Sequence, residues 1–328
     1  MDEQELEFFE KQGIMYQESI AQGGYGMIYK VFSTQYQRVF ALKKIKSNLF
    51  HHEEVDCFKL IDDTRIINLY KSFEFNGYHY LLMEFCPDDC EKLIRRKLGN
   101  YNHTELIKLV YDIISCVKAV HDRKIAHCDI KPANFLIDVY GRIKICDFGL
   151  SKIINLEARS KVFSGTKLFM APEIVNRREH DPFVSDVWSL GVTLYYLITT
   201  TFPFYAFSTK SLFEKISNGI YDEAAIADEN LRHIISRCLE VDITKRATLT
   251  ELLQNPIFEP FSVKKFIQTI HSHSAFRGLT QCRSGQSNLH SYDLIKKPKI
   301  NIRRTISGMQ SNLPIRKVVS AEVFPIIE

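Results

Sequence analysis

Residues 127–136 read HCDIKPANFL, and these ten positions decide how the rest of the chain is read. They hold an acid (Asp129), a base (Lys131) and an amide (Asn134), with Cys128 beside the acid. Asp129 is suited to orient a hydroxyl nucleophile and take its proton. Lys131 can neutralise a transferred anion, Asn134 offers an oxygen to a hard cation such as Mg2+, and Pro132 stiffens the loop. Asp147, eighteen positions after Asp129 and the head of DFG at 147–149, is a second hard oxygen ligand. Between them FLID and RIKICDF read as short strands around a turn containing Gly141. A strand–turn–strand of that kind brings the two candidate ligands together. Either motif alone is equally a polar loop with an Asx turn.

Working outward, AQGGYGMI at 21–28 lies between two predicted strands. Glycines there let backbone N–H groups approach an anion, although a glycine cluster alone also makes a plain tight turn. ALKK at 41–44 follows in the next strand. Lys43 faces inward if Ala41 does; by itself it reads as an edge-strand lysine in solvent. Residues 14–84 are strand-rich: three antiparallel strands, then a hairpin of LYKSFEF and YHYLLMEF across Asn76-Gly77. Residues 50–62 suit a helix. After Pro87 the pattern turns helical, with TELIKLVYDIISCVKAVHD repeating apolar residues at three and four and Thr104 or Asn102 as its cap. Helical patterning also covers 183–254. The expectation is an α+β chain of two lobes, a β-rich one over 14–86 and a helical one over 87–258, with a ligand cleft between them. A basic, flexible tail over 259–328 follows.

Composition narrows the class. The chain has 328 residues, 45% hydrophobic and 25% charged, which fits a globular protein with a sizeable core. Its longest apolar run, WSLGVTLYYLI at 188–198, is too short to cross a bilayer. The start, MDEQELEFFEKQG, is acidic where a signal peptide is basic and then apolar. The eight cysteines show no CxxC pair and no zinc spacing, which suits reduced thiols in the cytoplasm or nucleus. From Phe261 onward eleven bases face three acids, a charge of +8, and residues 1–260 therefore carry −4. No specific nucleic-acid binding is predicted, since a polycation effect suffices for that tail.

In order, the glycine turn, the lysine strand, the HxD-K-N loop and DFG resemble the signature of eukaryotic protein kinases. The resemblance runs from about Ile14 to Phe258. APE at 171–173, DVWSLGV at 186–192 and KRATLTELLQNPIF at 245–258 agree with it. It implies a two-lobed kinase fold and transfer of the ATP γ-phosphate to Ser/Thr hydroxyls of protein substrates, in signalling or cell-cycle control. Residue by residue, it makes Asp129 the positioning base, with Lys131, Asn134 and Thr166 beside it. Asn134 and Asp147 hold Mg2+. Ile20, Ala21, Gly23, Gly26 and Ile28 form the nucleotide loop, with Ala41 beside them. Lys43 holds phosphates and pairs with Glu54, Glu53 being the fallback. Met83 is the gatekeeper, Glu84 to Cys86 offer backbone groups to adenine, and Asp89 contacts ribose or substrate. Arg246 is the expected partner of Glu173. Lys131 and the GT at 165–166 resemble the Ser/Thr branch. A pseudokinase scaffold and a small-molecule kinase are the competing readings.

The chain departs from that pattern in places. Ala21 replaces the first loop glycine, which is tolerable if its backbone is not left-handed. Lys43 to Glu54 spans only eleven residues, so the pair is either permanently set or strained. Cys128 replaces the arginine that gathers an activation-segment phosphate in many relatives, and Val162 stands where the phosphate acceptor is usual. Activity independent of phosphorylation at that point is expected, with Ser160 and Ser164 as substitute acceptors. Ala133 stands where basic-directed relatives often carry glutamate, leaving Asp88, Asp89 and Glu91 to compensate. The tail carries RTIS at 304–307 and IRKVVSAEVF at 315–324, an autophosphorylation or docking element or simply a solvated stretch, and it is expected to take a regulatory partner.

Overall fold

In this computed structural model the described residues are 1–23, 26–50, 54, 55, 57, 58, 62–153 and 166–261. The predicted flexible tail falls outside them from residue 262 on.

Five strands build the first lobe: β1 (Ile14–Gly23), β2 (Gly26–Ser33), β3 (Arg38–Lys46), β4 (Leu69–Phe75) and β5 (Tyr78–Glu84). They form one sheet of order β1-β2-β3-β5-β4, with antiparallel neighbours throughout. The β4–β5 hairpin closes over Asn76 and Gly77, whose φ values of 48° and 75° are the left-handed pair that a two-residue hairpin turn requires. β3 is the middle strand. That corrects the edge-strand reading of Lys43, which is 7% exposed. A pattern of alternating apolar residues cannot itself tell an edge strand from a central one, because strand order is a tertiary property.

An element absent from the sequence reading comes first. α1 (Glu3–Lys11) starts at a capping box, in which the Asp2 side chain accepts from the Glu5 N–H and the Glu5 carboxylate accepts from the Asp2 N–H. It lays Phe8 and Phe9 on the sheet, with the Phe8 ring stacked on Phe75 at 4.3 Å and Phe9 edge-on to Tyr80 at 4.8 Å. Together with Tyr29, Val31, Phe40 and Leu42 they fill the core of this lobe.

The second lobe is helical. α2 (Cys90–Lys97) and α3 (His103–His121) follow the sheet, and Asn102 rather than Thr104 caps α3. A short strand, β6 (Asp88–Asp89), precedes α2, and between α3 and the next helix come β7 (Ile125–Ala126), β8 (Phe135–Ile137), β9 (Ile143–Ile145) and β10 (Lys152–Ile153). After them come α4 (Pro172–Val175), α5 (Pro182–Thr199), α6 (Thr209–Asn218), α7 (Glu229–Cys238) and α8 (Leu249–Leu253). α5 carries the long apolar run and is buried on nearly every side, which is why its sequence shows so little amphipathic contrast. Of the predicted helix over 50–62, residues 54, 55, 57 and 58 are helical and most others lie outside the described residues. Among the described residues no helix is long and apolar enough to cross a membrane.

Candidate active site

Strand register builds the first half of the site. Ala21 pairs with Ile28, Ile28 with Lys43, and Ala41 with Met83. Paired residues share a face and faces alternate every second residue, so Ala21, Ile28, Ala41, Lys43 and Met83 line one face of the sheet. Ala21 is not among the residues with positive φ, so its methyl group sits without strain. Ile20 is exposed one position earlier in β1. Gly23 ends β1, and Gly26 opens β2 at a φ of 147°.

Lys43 occupies the centre of that face. Its ammonium lies 2.7 Å from Glu54 and 2.8 Å from Asp147. The short Lys43–Glu54 spacing therefore gives a closed pair, while Glu53 lies outside the described residues. Burial draws the Lys43 pKa down, but the two carboxylates outweigh it and hold the group above its ordinary value. Burial pushes Asp147 up, and Lys43 more than offsets this, leaving its carboxyl below the ordinary range. Asp147 holds a left-handed φ of 64°, a strained backbone of the kind kept where function needs a side chain aimed. Next to it Phe148 is 1% exposed, seated on Phe58 at 5.0 Å and His127 at 5.3 Å.

The second half is the loop after β7. Asp129 is buried, and its carboxylate accepts from Lys131 at 2.7 Å and from Thr166 at 3.1 Å. Lys131 also donates to Thr166 at 3.3 Å, which closes a three-residue ring. Asn134 gives its amide N–H to the Asp129 carbonyl at 2.8 Å, leaving the amide oxygen as its acceptor. Sequence reading missed what holds this loop up. Asp186 in α5, 2% exposed, accepts from the His127 N–H at 2.7 Å, from the Cys128 N–H at 2.8 Å and from His121 at 2.8 Å. Its signal was present: an aspartate inside an otherwise apolar helix needs partners. Cys128 has a φ of 64°, and these bonds stabilise it. The Asp129 N–H donates to His127 Nδ1, so His127 donates from Nε2 to the Cys146 carbonyl.

The hinge between lobes follows β5. The Glu84 N–H is taken by the Asn68 carbonyl at 2.9 Å, and no backbone bond of Cys86 forms among the described residues. The Glu84 carboxylate points away from the cleft to Asn68 and to the buried Lys144, each at 3.0 Å. The Cys86 thiol is pushed up to about 12 by burial. At the start of α2, Asp88 pairs with Arg96, Asp89 with Lys92 and Glu91 with Arg95, so each acid already has a cation from α2.

A model described as the protein kinase domain matches residues 14–258. A probable serine/threonine-protein kinase, MARK-A, of Dictyostelium discoideum is 32% identical over 238 residues, covering 73% of this chain and 22% of that protein. Serine/threonine-protein kinase 33 of Bos taurus is 28% identical, covering 72% and 53%, and calcium-dependent protein kinase 3 of Plasmodium berghei is 30% identical, covering 74% and 46%. The chain thus spans between about a fifth and a half of the length of these relatives. A kinase-domain match over most of the chain, the Lys43–Glu54–Asp147 cluster and the Asp129–Asn134 loop lead to one conclusion: the chain belongs to the protein kinase family.

Proposed function

We infer that this chain is a serine/threonine protein kinase that moves the ATP γ-phosphoryl group onto Ser/Thr hydroxyls of protein substrates in a signalling or cell-cycle setting. The observation that carries the reading is the ring of Asp129, Lys131 and Thr166. It holds one buried carboxylate in one orientation with an ammonium beside it, as positioning and electrostatic catalysis require. The donor set fits Mg-ATP. Asp147 and the amide oxygen of Asn134 are hard ligands, and Lys43 is a buried cation beside Asp147. Mg2+, when bound, offsets phosphate charge during transfer. Asp129 orients the substrate hydroxyl and accepts its proton, Lys131 neutralises charge beside it, and Lys43 binds phosphate oxygens. Nothing in the site favours a scaffold without activity.

The chain is of the type lacking arginine before the catalytic aspartate. Asp186 supports the loop through the His127 and Cys128 N–H groups, with no guanidinium needed. On this reading activity does not require phosphorylation at position 162, a valine, which, like Ser160 and Ser164, lies outside the described residues. Phosphatase treatment that abolished activity, with restoration by Ser160→Asp or Ser164→Asp, would contradict this. Cytoplasmic or nuclear location belongs to the same reading, supported by cysteine spacing that fits neither disulfides nor zinc. A regulatory partner of the basic tail rests on its charge alone. The deciding experiment is transfer from radiolabelled ATP to generic protein substrates by wild type and Asp129→Ala. A loss of about 10³-fold is expected, and equal labelling refutes the assignment.

A further inference from the structure

α1 takes no part in the ring around Asp129, yet it buries a carboxylate. Glu5 is fully buried, forms an ion pair with Lys44, and accepts from the Tyr80 hydroxyl at 2.6 Å. Lys44 and Tyr80 are a cross-strand pair of β3 and β5. The adjacent pair is Lys43 and Leu81, so Lys44 and Lys43 leave β3 on opposite faces. One residue apart, the middle strand of the sheet is held by a buried ion pair behind and another in front.

Lys44 also meets the glycine turn. A Cβ on Gly26 would lie 1.9 Å from the Lys44 carbonyl oxygen, and Met27 pairs with Lys44 in register. The strand returning from the glycine turn therefore rests on the same residue that Glu5 grips.

A helix that only covered apolar surface would need apolar side chains, which Phe8 and Phe9 already supply. Burying an ammonium and a carboxylate adds a desolvation cost that a leucine–methionine contact avoids. In return the ion pair, with its shared hydroxyl, has one geometry where an apolar contact can slide. We propose that Glu5 is a positioning residue for nucleotide binding. It fixes Lys44 and Tyr80 from the back of the sheet, and so fixes Lys43 and the strand below the glycine turn on the front. This rests on the reading of Lys43 as the residue that binds phosphate.

The test uses the full chain and measures equilibrium ATP affinity, with melting temperature alongside, for Glu5→Gln, Tyr80→Phe, Lys43→Met and the double variant Glu5→Leu/Lys44→Met. Glu5→Gln is expected to weaken ATP binding about fivefold and Tyr80→Phe about twofold, with the KM for protein substrate unchanged. The double variant regains melting temperature, having no unpaired buried charge, but keeps the weakened ATP affinity. A purely structural helix predicts instead that affinity returns with stability, and that result overturns the proposal. So does wild-type ATP affinity in Glu5→Gln or, should that variant not fold, in Tyr80→Phe. Unchanged ATP affinity in Lys43→Met overturns the phosphate-binding role and the proposal with it. A large loss there with none in Glu5→Gln overturns the proposal alone.

Discussion

Glu173 in α4 and Arg246, 73 positions later, meet as a two-pronged pair at 2.7 and 3.0 Å, with Ser185 donating to the same carboxylate at 2.8 Å. Both side chains are almost wholly buried, and the guanidinium lies over Trp188 at 5.2 Å. Glu173→Gln leaves a buried guanidinium without its counter-charge and is expected to cost about 3–5 kcal/mol in unfolding free energy. Burial raises the Glu173 pKa, and Arg246 outweighs it, so the folded value lies below the ordinary 4.5. A carboxyl with a depressed folded pKa stabilises above its unfolded pKa and loses that contribution as pH falls through the folded one. The gap between wild type and Glu173→Gln in denaturant titrations should thus be widest near neutrality and narrow below 4.5. A gap independent of pH would count against the ionised pair.

Thr166 joins Asp129 and Lys131 through one hydroxyl. Thr166→Val keeps the shape and removes the bonds. We expect kcat to fall roughly tenfold, the equivalent of about 1.4 kcal/mol, with ATP affinity unchanged. Steady-state kinetics with ATP and substrate varied separately checks this, and an unchanged kcat would mean that Asp129 needs no orienting partner.

Phe9 is 1% exposed inside an aromatic cluster. Phe9→Ala should destabilise the chain by about 3–4 kcal/mol, read as a shift in the denaturant midpoint. A shift close to zero would show that α1 is not part of the cooperative unit.

The acids at and just before the start of α2 bear on a prediction about substrate choice. Asp88, Asp89 and Glu91 are each occupied by Arg96, Lys92 and Arg95, and Ala133 carries no charge. The compensation that the sequence left open therefore requires these acids to exchange partners. Peptides with arginine upstream of the target serine should be phosphorylated within about threefold of alanine controls, because exposed charge pairs are worth only a few tenths to 1 kcal/mol. A positional peptide array decides it, and a strong preference for arginine would show that these acids exchange partners on binding.

The site was readable because its chemistry is concentrated in short motifs. Asp129, Lys131 and Asn134 lie within one loop, and Asp147 is reached by a single hairpin, so spacing alone carried the geometry. Lys43 was readable only in the company of the other motifs, since its central position depends on which strand pairs with β3. Two parts escaped. α1 is preceded by Asp2, followed three residues later by Glu5, the mark of a capping box, but the segment is short and acidic. The tertiary supports, Asp186 under the catalytic loop and Lys144 against Glu84, join residues about sixty apart that no local pattern relates.

The seat of Phe148, wedged between Phe58 and His127, has a consequence for inhibitor chemistry. Compounds that bind only after this ring swings out must first expose a fully buried aromatic. That costs about 2–3 kcal/mol, a potency penalty of roughly 30- to 150-fold. Compounds shaped to the cleft as it stands avoid the penalty, so a screen against this chain should enrich them.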